Sequence, residues 1–427
     1  MNQELESLLK LAYSRGISHA EVYRVTSESQ PVFFEGNRLK QLESCQSMGT
    51  ALRLWQDSRP GLAVAYGKVD PELLIDKAIA LSHLNQPETI ELASDRQSIH
   101  DLTGASASVK DLIEIGNQAL DLLREEYPEL ICSAELEFEQ ETTTLINSQG
   151  LYCHFRESGL SCSLGAELVR GEDFLGVFDG EYSKESLNLT PVIEQIIRRL
   201  DWAKENVEPS QGNLPVLLTA NAATLLWDTV SSALNGKRVE ENSSPWSSLR
   251  HQLVVSESIN LSQQPELRPY DCPFDDEGMP TQSLNLITQG VLNQFYGDRT
   301  IARKLNLKPT GNGFRPGLDS YPTPGLVNLI VAPGEHSFAE LVNQLDHGIV
   351  VDQILGGGAD ISGDFSVNVD LGYRVEKGKI KGRVKDTAIS GNVYQVLKQV
   401  VAIANDSNWN GSCNTPSLIV EGISVVG

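Results

Sequence analysis

The residues Glu21-Val22-Tyr23-Arg24-Val25 begin a series of short runs that are rich in β-branched and aromatic residues. Further runs of this kind are Pro31-Val32-Phe33-Phe34, Thr50-Ala51-Leu52-Arg53-Leu54 and Leu62-Ala63-Val64-Ala65-Tyr66. Gly36-Asn37 and Pro60-Gly61 lie between runs and favour turns. The stretch from Ala20 to Lys68 therefore predicts an antiparallel meander.

Helical patterns flank this meander. Leu5, Leu8, Leu9 and Ala12 recur at helical spacing before Gly16. Two more helices are predicted after the meander, one beginning near Asp70-Pro71 and one over residues 109–126. A second set of strands is predicted over residues 130–182, followed by a helix that carries Ile193, Ile196, Ile197 and Leu200 on one stripe.

A polar Pro/Gly stretch, Glu208-Pro209-Ser210-Gln211-Gly212, is the best candidate for a linker. After it come an apolar strand at Leu214–Thr219, a helix from Asn221 to Leu234 that Gly236 ends, and many short strands. The sequence predicts an α+β fold with two domains. Residues 1–210 form antiparallel meanders with flanking helices, and residues 211–427 form a sheet-rich domain.

Composition excludes several classes of protein. The 427 residues include 34 Lys plus Arg and 57 Asp plus Glu, a net charge of −23, which argues against direct nucleic-acid binding. The six cysteines form no CxxC pair and are expected to be reduced thiols. The acidic N-terminus is unlike a signal peptide, and no segment approaches the roughly 18 apolar residues of a membrane span. We expect a cytoplasmic protein without a membrane partner.

The common hydrolase motifs are missing. No two histidines are three to five residues apart, so the chain lacks the HExxH type of zinc helix. The nucleophile elbow G-x-S-x-G and the phosphate loop G-x-x-x-x-G-K-S/T are absent as well.

Several polar stretches admit both a functional and a structural interpretation. Asp275-Asp276-Glu277 could hold a divalent metal or act as an acid/base pair, but a solvated turn is favoured. In Thr310–Gly317, Arg315 could clamp a carboxylate, or the segment could be a connecting turn. Gly356-Gly357-Gly358 allows close approach of a ligand, although such loops are common without one.

Basic residues alternate with other residues from Lys377 to Lys385. A period of two predicts a strand with one basic face. That face could bind an acidic partner or the acidic first half of the chain, but a solvated face is favoured.

An ordered set of motifs in the second half resembles the TldD/PmbA family of zinc peptidases. These motifs are Phe274-Asp275-Asp276-Glu277-Gly278-Met279-Pro280-Thr281, Leu286–Leu292, Pro309-Thr310-Gly311-Asn312-Gly313, Val327-Asn328-Leu329 with Pro333-Gly334, Ser362–Ser366, Ser390-Gly391-Asn392 and Ile423–Gly427. The first half resembles the family more loosely, through its opening helix and meander.

The resemblance also shows a departure. In TldD-type members a helix carries H-E-x-x-x-H, whose histidines bind zinc and whose glutamate acts as a base, and a cysteine near the C-terminus completes the site. In this chain Trp227 and Ser232 stand at the histidine positions and Asp228 at the glutamate position. One thiolate cannot make a four-coordinate zinc site, so Cys413 is interpreted as a buried thiol. The pattern resembles the PmbA (TldE) subunit, which has no metal.

The resemblance implies a heterodimer with a TldD-type subunit that supplies the zinc and the base, so that this chain has no cofactor and no catalytic residue of its own. It also implies substrates that are unfolded or extended peptides, held in a chamber to which this chain contributes walls and strand edges. Arg315, Gly311, Gly313 and Asp276 are the candidates for lining that chamber.

Two alternatives belong to other classes. One is a zinc-free homodimer that holds extended peptides without cutting them. The other is a self-sufficient hydrolase that uses Asp275, Asp276 and Glu277 around a divalent ion, an arrangement that adjacent residues of one turn rarely achieve. The partner and the metal content distinguish these alternatives from the subunit hypothesis.

Overall fold

A computed structural model describes residues 2–94 and 96–427 of the chain. Helices account for 22% of the residues and strands for 43%, so the structure is sheet-rich. This confirms the predicted α+β class.

The first half is built on one long-stranded sheet. Its elements are α1 (Asn2–Ser14), β1 (His19–Glu35), β2 (Arg38–Leu42), β3 (Cys45–Gln56), β4 (Arg59–Tyr66), α2 (Pro71–Ser82), β5 (Gln97–Leu102), α3 (Val109–Glu126), β6 (Ile131–Asn147), β7 (Tyr152–Arg170), β8 (Asp173–Ser183) and α4 (Leu189–Trp202). The sheet order is β4-β3-β1-β6-β7-β5, with β2 added to β1 and β8 added to β7. Apart from the parallel β5–β7 pair, neighbouring strands are antiparallel, as a meander requires.

Strand β1 is one continuous strand, whereas the sequence predicted two separate runs. Pro31, which seemed to begin a second run, lies inside it. The partner on one side is β3 as far as Ser29 and becomes β2 from Val32 onward. Pro31 lies at this change of partner. No hydrogen bond between strands is lost there, although proline has no backbone N–H to donate.

The helices pack on one face of this sheet. Val22 and Leu52 contact the core beneath α1 and α2, and Leu136 and Leu164 contact the core beneath α3 and α4. Two local signals set the helix starts: Asp70 caps α2, and Ser108 forms a capping box with Asp111 at the start of α3.

The second half contains many short strands. Its elements are β9 (Asn206–Val207), β10 (Gly212–Leu218), α5 (Ala220–Leu234), α6 (Gly236–Glu240), β11 (Leu261–Gln263), β12 (Leu284–Thr288), β13 (Val291–Leu292), α7 (Arg299–Lys304), β14 (Gly313–Phe314), β15 (Thr323–Pro324), β16 (Leu329–Val331), α8 (Phe338–Gln344), β17 (His347–Leu355), β18 (Asp364–Glu376), β19 (Lys379–Val384), β20 (Thr387–Asn392), α9 (Val393–Val396), β21 (Val400–Ile403), β22 (Asn408–Asn410), β23 (Cys413–Thr415) and β24 (Leu418–Val426). Gly236 begins α6 and does not end α5, because the side chain of Asn235 accepts a hydrogen bond from the amide of Lys237 and so caps a new helix.

A closed ring of strands forms the centre of the second half. Strand order runs β17-β10-β24-β20-β18, and β17 also pairs with β18, which closes the ring. β19 and β9 extend from β18, and β21 pairs with β24. A separate sheet has the order β13-β12-β11-β16-β23-β22, and β14 pairs with β15. Strand β9 pairs with β19 and so belongs to the sheet that contains the ring. The chain therefore enters the second half's sheet before residue 210, and the domain boundary at that residue stays a prediction.

Both faces of the central strands are buried. In β10, Val216 and Leu218 contact one hydrophobic core and Leu217 contacts another. Ile419 of β24 shares the core of Leu217, while its neighbours Leu418 and Val420 share the core of Val216. A strand that is buried on both faces has an uninterrupted apolar sequence. For this reason Leu214–Thr219 is recognisable as a buried strand from the sequence.

One of these cores joins the two halves of the chain. It contains Leu136 and Leu164 from the first sheet together with Leu371 and Tyr373 from β18. Trp202, at the end of α4, meets Tyr373 edge to face, with ring centroids 5.4 Å apart. The first half therefore buries part of its apolar surface against the second.

The predicted basic strand from Lys377 to Lys385 is wrong in part. Lys377 and Gly378 have positive φ and form the turn of the β18–β19 hairpin. The predicted solvated basic face holds for Lys379 and Lys381, which are exposed. At the end of the strand the alternative of a contact with the acidic first half holds instead: Arg383 is buried, and both Arg383 (3.4 Å) and Lys385 (2.9 Å) form ion pairs with the carboxylate of Asp173.

In the described part of the chain, no helix has the length and apolar character that a membrane crossing requires. The expected cytoplasmic location stays a prediction.

The shared core predicts that the two halves unfold together. Leu371 is 0% exposed, so Leu371→Ala should lower the free energy of unfolding by about 2–5 kcal/mol. Leu84, which is 79% exposed, provides the matched control, and Leu84→Ala should change stability by less than roughly 0.5 kcal/mol. Differential scanning calorimetry should show one transition that shifts down in Leu371→Ala. A second transition left unshifted by Leu371→Ala would contradict the shared core.

Candidate functional site

Helix α5 carries Trp227, Asp228 and Ser232, the residues that the resemblance predicts to stand at the motif positions. It follows directly from the buried strand β10, and the hydroxyl of Thr219 caps its first turn. Trp227 is 1% exposed, and its indole Nε1 donates a hydrogen bond to Thr415 Oγ1 at 2.7 Å. The indole thus fills the space between α5 and β23.

The other two motif positions lie in different surroundings. Asp228 faces the large cavity described below, and desolvation raises the pKa of its carboxyl. Ser232 is half-buried near the end of α5, where its carbonyl accepts a hydrogen bond from Asn235 N.

Cys413 lies in β23, beside α5. Burial, and to a smaller extent the charge of Asp228, raise the pKa of the Cys413 thiol to about 12. The sulfur is therefore protonated at neutral pH when no metal is bound.

These residues do not fit a zinc ion. An indole N–H only donates hydrogen bonds, and a serine hydroxyl is not among the usual zinc ligands. Only Asp228 and Cys413 remain as donors there. Within residues 2–94 and 96–427, no three His, Cys, Asp or Glu side chains are grouped so that they could hold a metal ion.

A cavity of about 970 Å³ lies between the two halves, above the face of α5 that carries Asp228. Strands β7 and β8 form one wall. The opposite walls are α5, the end of β17 with the Gly356-Gly357-Gly358 loop, and the segment around β22. The lining residues are Ser163, Phe178, Asp179, Gly180, Glu181, Tyr182, Asn221, Ala222, Thr224, Leu225, Asp228, Tyr270, Asp352, Gln353, Ile354, Gly356, Gly357, Gly358, Ala359, Asp370, Asn408, Trp409, Asn410 and Gly411.

Three aromatic side chains form a continuous wall of this cavity. Tyr182 stacks on Tyr270 with ring centroids 5.2 Å apart, and Tyr270 meets Trp409 edge-on at 5.2 Å. Burial raises the pKa of Tyr182 and of Tyr270, so both hydroxyls are protonated at neutral pH. Flat rings of this kind bind apolar and cationic groups without demanding one sequence.

The floor of the cavity contains a buried ion-pair group that joins the halves. Arg199 of α4 contacts Asp179 Oδ2 through Nη1 at 3.0 Å and Asp352 Oδ2 through Nε at 3.1 Å. Burial raises the pKa of both carboxyls, and the Arg199 charge opposes that effect. Two buried carboxylates therefore share one guanidinium.

The edge of β8 also faces the cavity. Within the described chain, β8 pairs with β7 on one side only. On its other side, Phe178 N donates to Gln353 Oε1 at 3.0 Å, and Gln353 Nε2 donates to Gly176 O at 3.3 Å. Because every second residue of a strand directs its backbone groups to the same side, Gly180 and Tyr182 continue this edge along the cavity wall. The amide of Gly180 is already used there, since it donates to Asp179 Oδ1 at 2.8 Å.

The prediction of a solvated turn at Asp275-Asp276-Glu277 is wrong, because Asp275 and Glu277 are buried and the turn is packed against the first sheet. Asp275 accepts from Met279 N and Gly313 N, both at 2.8 Å, and Glu277 accepts from Arg299 N at 2.9 Å. Burial raises the pKa of Asp275, with the nearby Glu277 charge adding to it, and burial raises that of Glu277 to about 7. The carboxylate oxygens thus accept hydrogen bonds from the backbone amides of neighbouring loops.

Arg315 and Asp276 lie in the same packed region. The amide of Arg315 donates to Asp276 Oδ2 at 2.7 Å. The Arg315 side chain is 3% exposed, pairs with Glu21 Oε1 at 2.9 Å and lies over the Tyr23 ring at 5.2 Å. These contacts hold the loop of the second half against the first sheet.

The two glycines of that loop are needed for packing. Gly311 has φ +71°, and a Cβ there would collide with the carbonyl of Pro280. A Cβ at Gly313 would collide with the Glu277 carboxylate. Arg315, Gly311, Gly313 and Asp276 are not among the residues that line the cavity between the halves, and their assignment to a substrate chamber stays a prediction.

Sequence reasoning missed most of the cavity wall. Tyr270 and Trp409 lie in or next to irregular segments, and only the fold brings them together with Tyr182. Trp409 stands in a segment rich in Asn, Ser and Gly, where a large aromatic side chain is unusual, and that contrast was the available signal. The Gly356–Gly358 loop, for which the sequence admits close approach of a ligand, does line the cavity.

Comparison with known proteins identifies the family and the fold. The family profile described as "PmbA/TldA metallopeptidase C-terminal domain" matches residues 211–427, just over half of the chain. The "Metalloprotease TldD homolog" of Buchnera aphidicola is 30% identical over 223 residues, which are 49% of this chain and 46% of that protein. The "Zinc metalloprotease TldD homolog" of Saccharolobus solfataricus is 26% identical over 231 residues, 53% of this chain and 51% of that protein. The alignments thus span about half the length of these relatives.

Among solved structures, TldE from Thermococcus kodakarensis superposes with a TM-score of 0.91 at 22% identity, covering 99% of this chain and 100% of that one. At this identity the likeness establishes the fold. With the profile match, it agrees with the resemblance read from the motifs of the second half. The chain belongs to the PmbA/TldD metallopeptidase family.

Proposed function

We propose that this chain is the TldE/PmbA-like subunit of a two-chain metallopeptidase, in which a TldD-type partner supplies the metal and the catalytic base. The observation that carries the proposal is that the motif positions of helix α5 hold no zinc ligands. Its motif positions hold Trp227, Asp228 and Ser232, and the indole of Trp227 is bonded to Thr415 inside the core. A family member whose motif helix has no zinc ligands needs another chain for zinc chemistry.

In this proposal the zinc of the partner would polarise the scissile carbonyl and activate water. The residues of this chain bind and orient the peptide. The edge of β8 beyond Gln353 offers the carbonyl of Gly180 and the backbone of Tyr182 to an extended segment, since the Gly180 amide already donates to Asp179. The aromatic wall of Tyr182, Tyr270 and Trp409 packs against the side chains of that segment. Unfolded or extended peptides are the substrates that such an edge suits, because most backbone groups of a folded chain are already paired within that chain.

The contacts of the Asp275-Asp276-Glu277 turn argue against the alternative of a self-sufficient hydrolase. Each of these carboxylates already accepts backbone amides, and the turn is packed against the first sheet. The zinc-free homodimer remains as the competing outcome of the first experiment below. The chain is also proposed to act in the cytoplasm and without direct contact to nucleic acid, as its charge of −23 favours.

Native mass spectrometry of the tagged chain purified from its own host should show a heterodimer containing one chain with H-E-x-x-x-H and one zinc ion. The zinc should leave with a chelator, while the mass of the present chain stays unchanged. A zinc-free homodimer would overturn the proposal and favour a peptide-binding protein without peptidase activity.

Ser232→Ala should leave the peptidase activity of the assembled complex within about twofold of the unsubstituted complex, because this position holds no metal here. Activity is measured on an unfolded protein, with assembly checked by gel filtration. The matched control is an alanine at a motif histidine of the partner, which should abolish cleavage. Loss of cleavage by Ser232→Ala in a fully assembled complex would contradict the non-metal role.

A further inference from the structure

We infer that the Gln353 side chain is an internal competitor for the edge of β8, and that a bound peptide displaces it. The inference rests on the proposed binding of extended peptides and adds a gate to that same site. It is drawn from the hydrogen bonds of the Gln353 amide, from a bulge in β17 and from the glycines that follow it.

The side-chain amide of Gln353 imitates one residue of an added strand. Its Oε1 accepts from Phe178 N at 3.0 Å, and its Nε2 donates to Gly176 O at 3.3 Å. In a parallel ladder, a guest residue opposite Val177 accepts from the first of these groups and donates to the second. A side chain of β17 therefore occupies the place of a guest strand on this edge.

Asp370 of β18 fixes the direction of this amide. Its Oδ2 accepts from Gln353 Nε2 at 3.3 Å. A carboxylate accepts hydrogen bonds, so it favours the orientation in which the amide nitrogen lies near Asp370 and Gly176. The amide oxygen is then left for Phe178 N. Both polar atoms of the Gln353 side chain are thus held in the positions that the edge of β8 requires.

A bulge in β17 turns Gln353 toward β8. The pairing of β17 with β18 shifts between Val351 and Gln353 and again between Gln353 and Ile354. Bulges re-aim side chains and are frequent beside functional sites. The irregular backbone of β17 thus places the amide of one half of the chain on a strand edge of the other half.

The glycines after Gln353 give the end of β17 backbone freedom. Gly356 and Gly357 have φ values of +60° and +79°, which other residues rarely adopt. A Cβ at Gly356 or Gly358 would meet no other atom of the described chain within 4 Å, so packing does not require glycine there. Hinges are built from a few such loop residues. The end of β17 can therefore shift and withdraw the Gln353 side chain from β8.

Displacement of Gln353 lengthens the edge that a peptide can use. With the side chain in place, the edge offers the Gly180 carbonyl and the backbone of Tyr182. Once it leaves, Gly176 O and Phe178 N are added, and the edge runs from Gly176 to Tyr182. The observed affinity of a guest is lowered by the fraction of molecules in which the edge is closed. Removal of the side chain should therefore strengthen peptide binding.

The test is calorimetric titration of the purified chain, and of its complex, with a blocked peptide of alternating valine and threonine that carries a lysine at each end. A second peptide of the same sequence has methyl groups on alternate backbone nitrogens, so it cannot complete a ladder. Gln353→Ala should bind the first peptide about tenfold more tightly than the unsubstituted chain does. The methylated peptide should show no such gain.

A second variant frees the edge without removing the volume of the side chain. Gln353→Glu cannot donate to Gly176 O, and Asp370 repels its charge. It should also bind the first peptide more tightly, by a smaller factor, because a carboxylate can still accept from Phe178 N. The matched control is Gln118→Ala, which removes an exposed glutamine of α3 and should leave the affinity unchanged. Circular dichroism of each variant shows whether it is folded.

Unchanged or weaker binding of the first peptide by both Gln353 variants would overturn the inference and leave the proposed peptide binding intact. A gain in Gln353→Ala that Gln353→Glu does not share would also overturn it, because space and not the edge would then be the cause. An equal gain for the methylated peptide has the same meaning. If no peptide binds the unsubstituted chain, its complex or the variants, both the inference and the proposed peptide binding fail. The subunit assignment is then decided by the mass spectrum alone.

Discussion

The burial of α4 between the two sheets is the constraint on which the rest of the structure depends. Its apolar stripe contacts the first sheet, its last residue Trp202 packs on Tyr373 of the second, and Arg199 binds carboxylates from both halves. This one helix fixes the distance between β8 and α5, and the cavity is the space left between them. A change in how α4 packs would therefore alter the cavity before it altered either sheet.

The sequence predicted the parts of the fold that local chemistry decides. The capped helices α2 and α3 and the apolar run of β10 follow from short-range patterns. It did not reveal that the Asp275-Asp276-Glu277 turn is buried, since acidic residues usually lie in water and only the amides of distant loops offset the cost. The cavity wall was also missed, because Tyr182, Tyr270 and Trp409 are far apart in the chain and only tertiary packing brings them together.

Membership of a metallopeptidase family does not by itself give this chain a peptidase site. In this chain the indole of Trp227 occupies the interior and stabilises the contact between α5 and β23 through Thr415. Trp227 is thus a packing residue, and the contact between the helix and the strand is made without an ion.

The position of Gln353 has a consequence for how the chain behaves in solution. An open strand edge is a template on which further copies of a protein can add, strand upon strand, and grow into aggregates. The amide of Gln353 occupies this edge at Gly176 and Phe178 and interrupts it. What remains at Gly180 and Tyr182 is too short to pair with a whole strand of another copy. The Gln353 side chain thus protects the molecule from self-association along this edge.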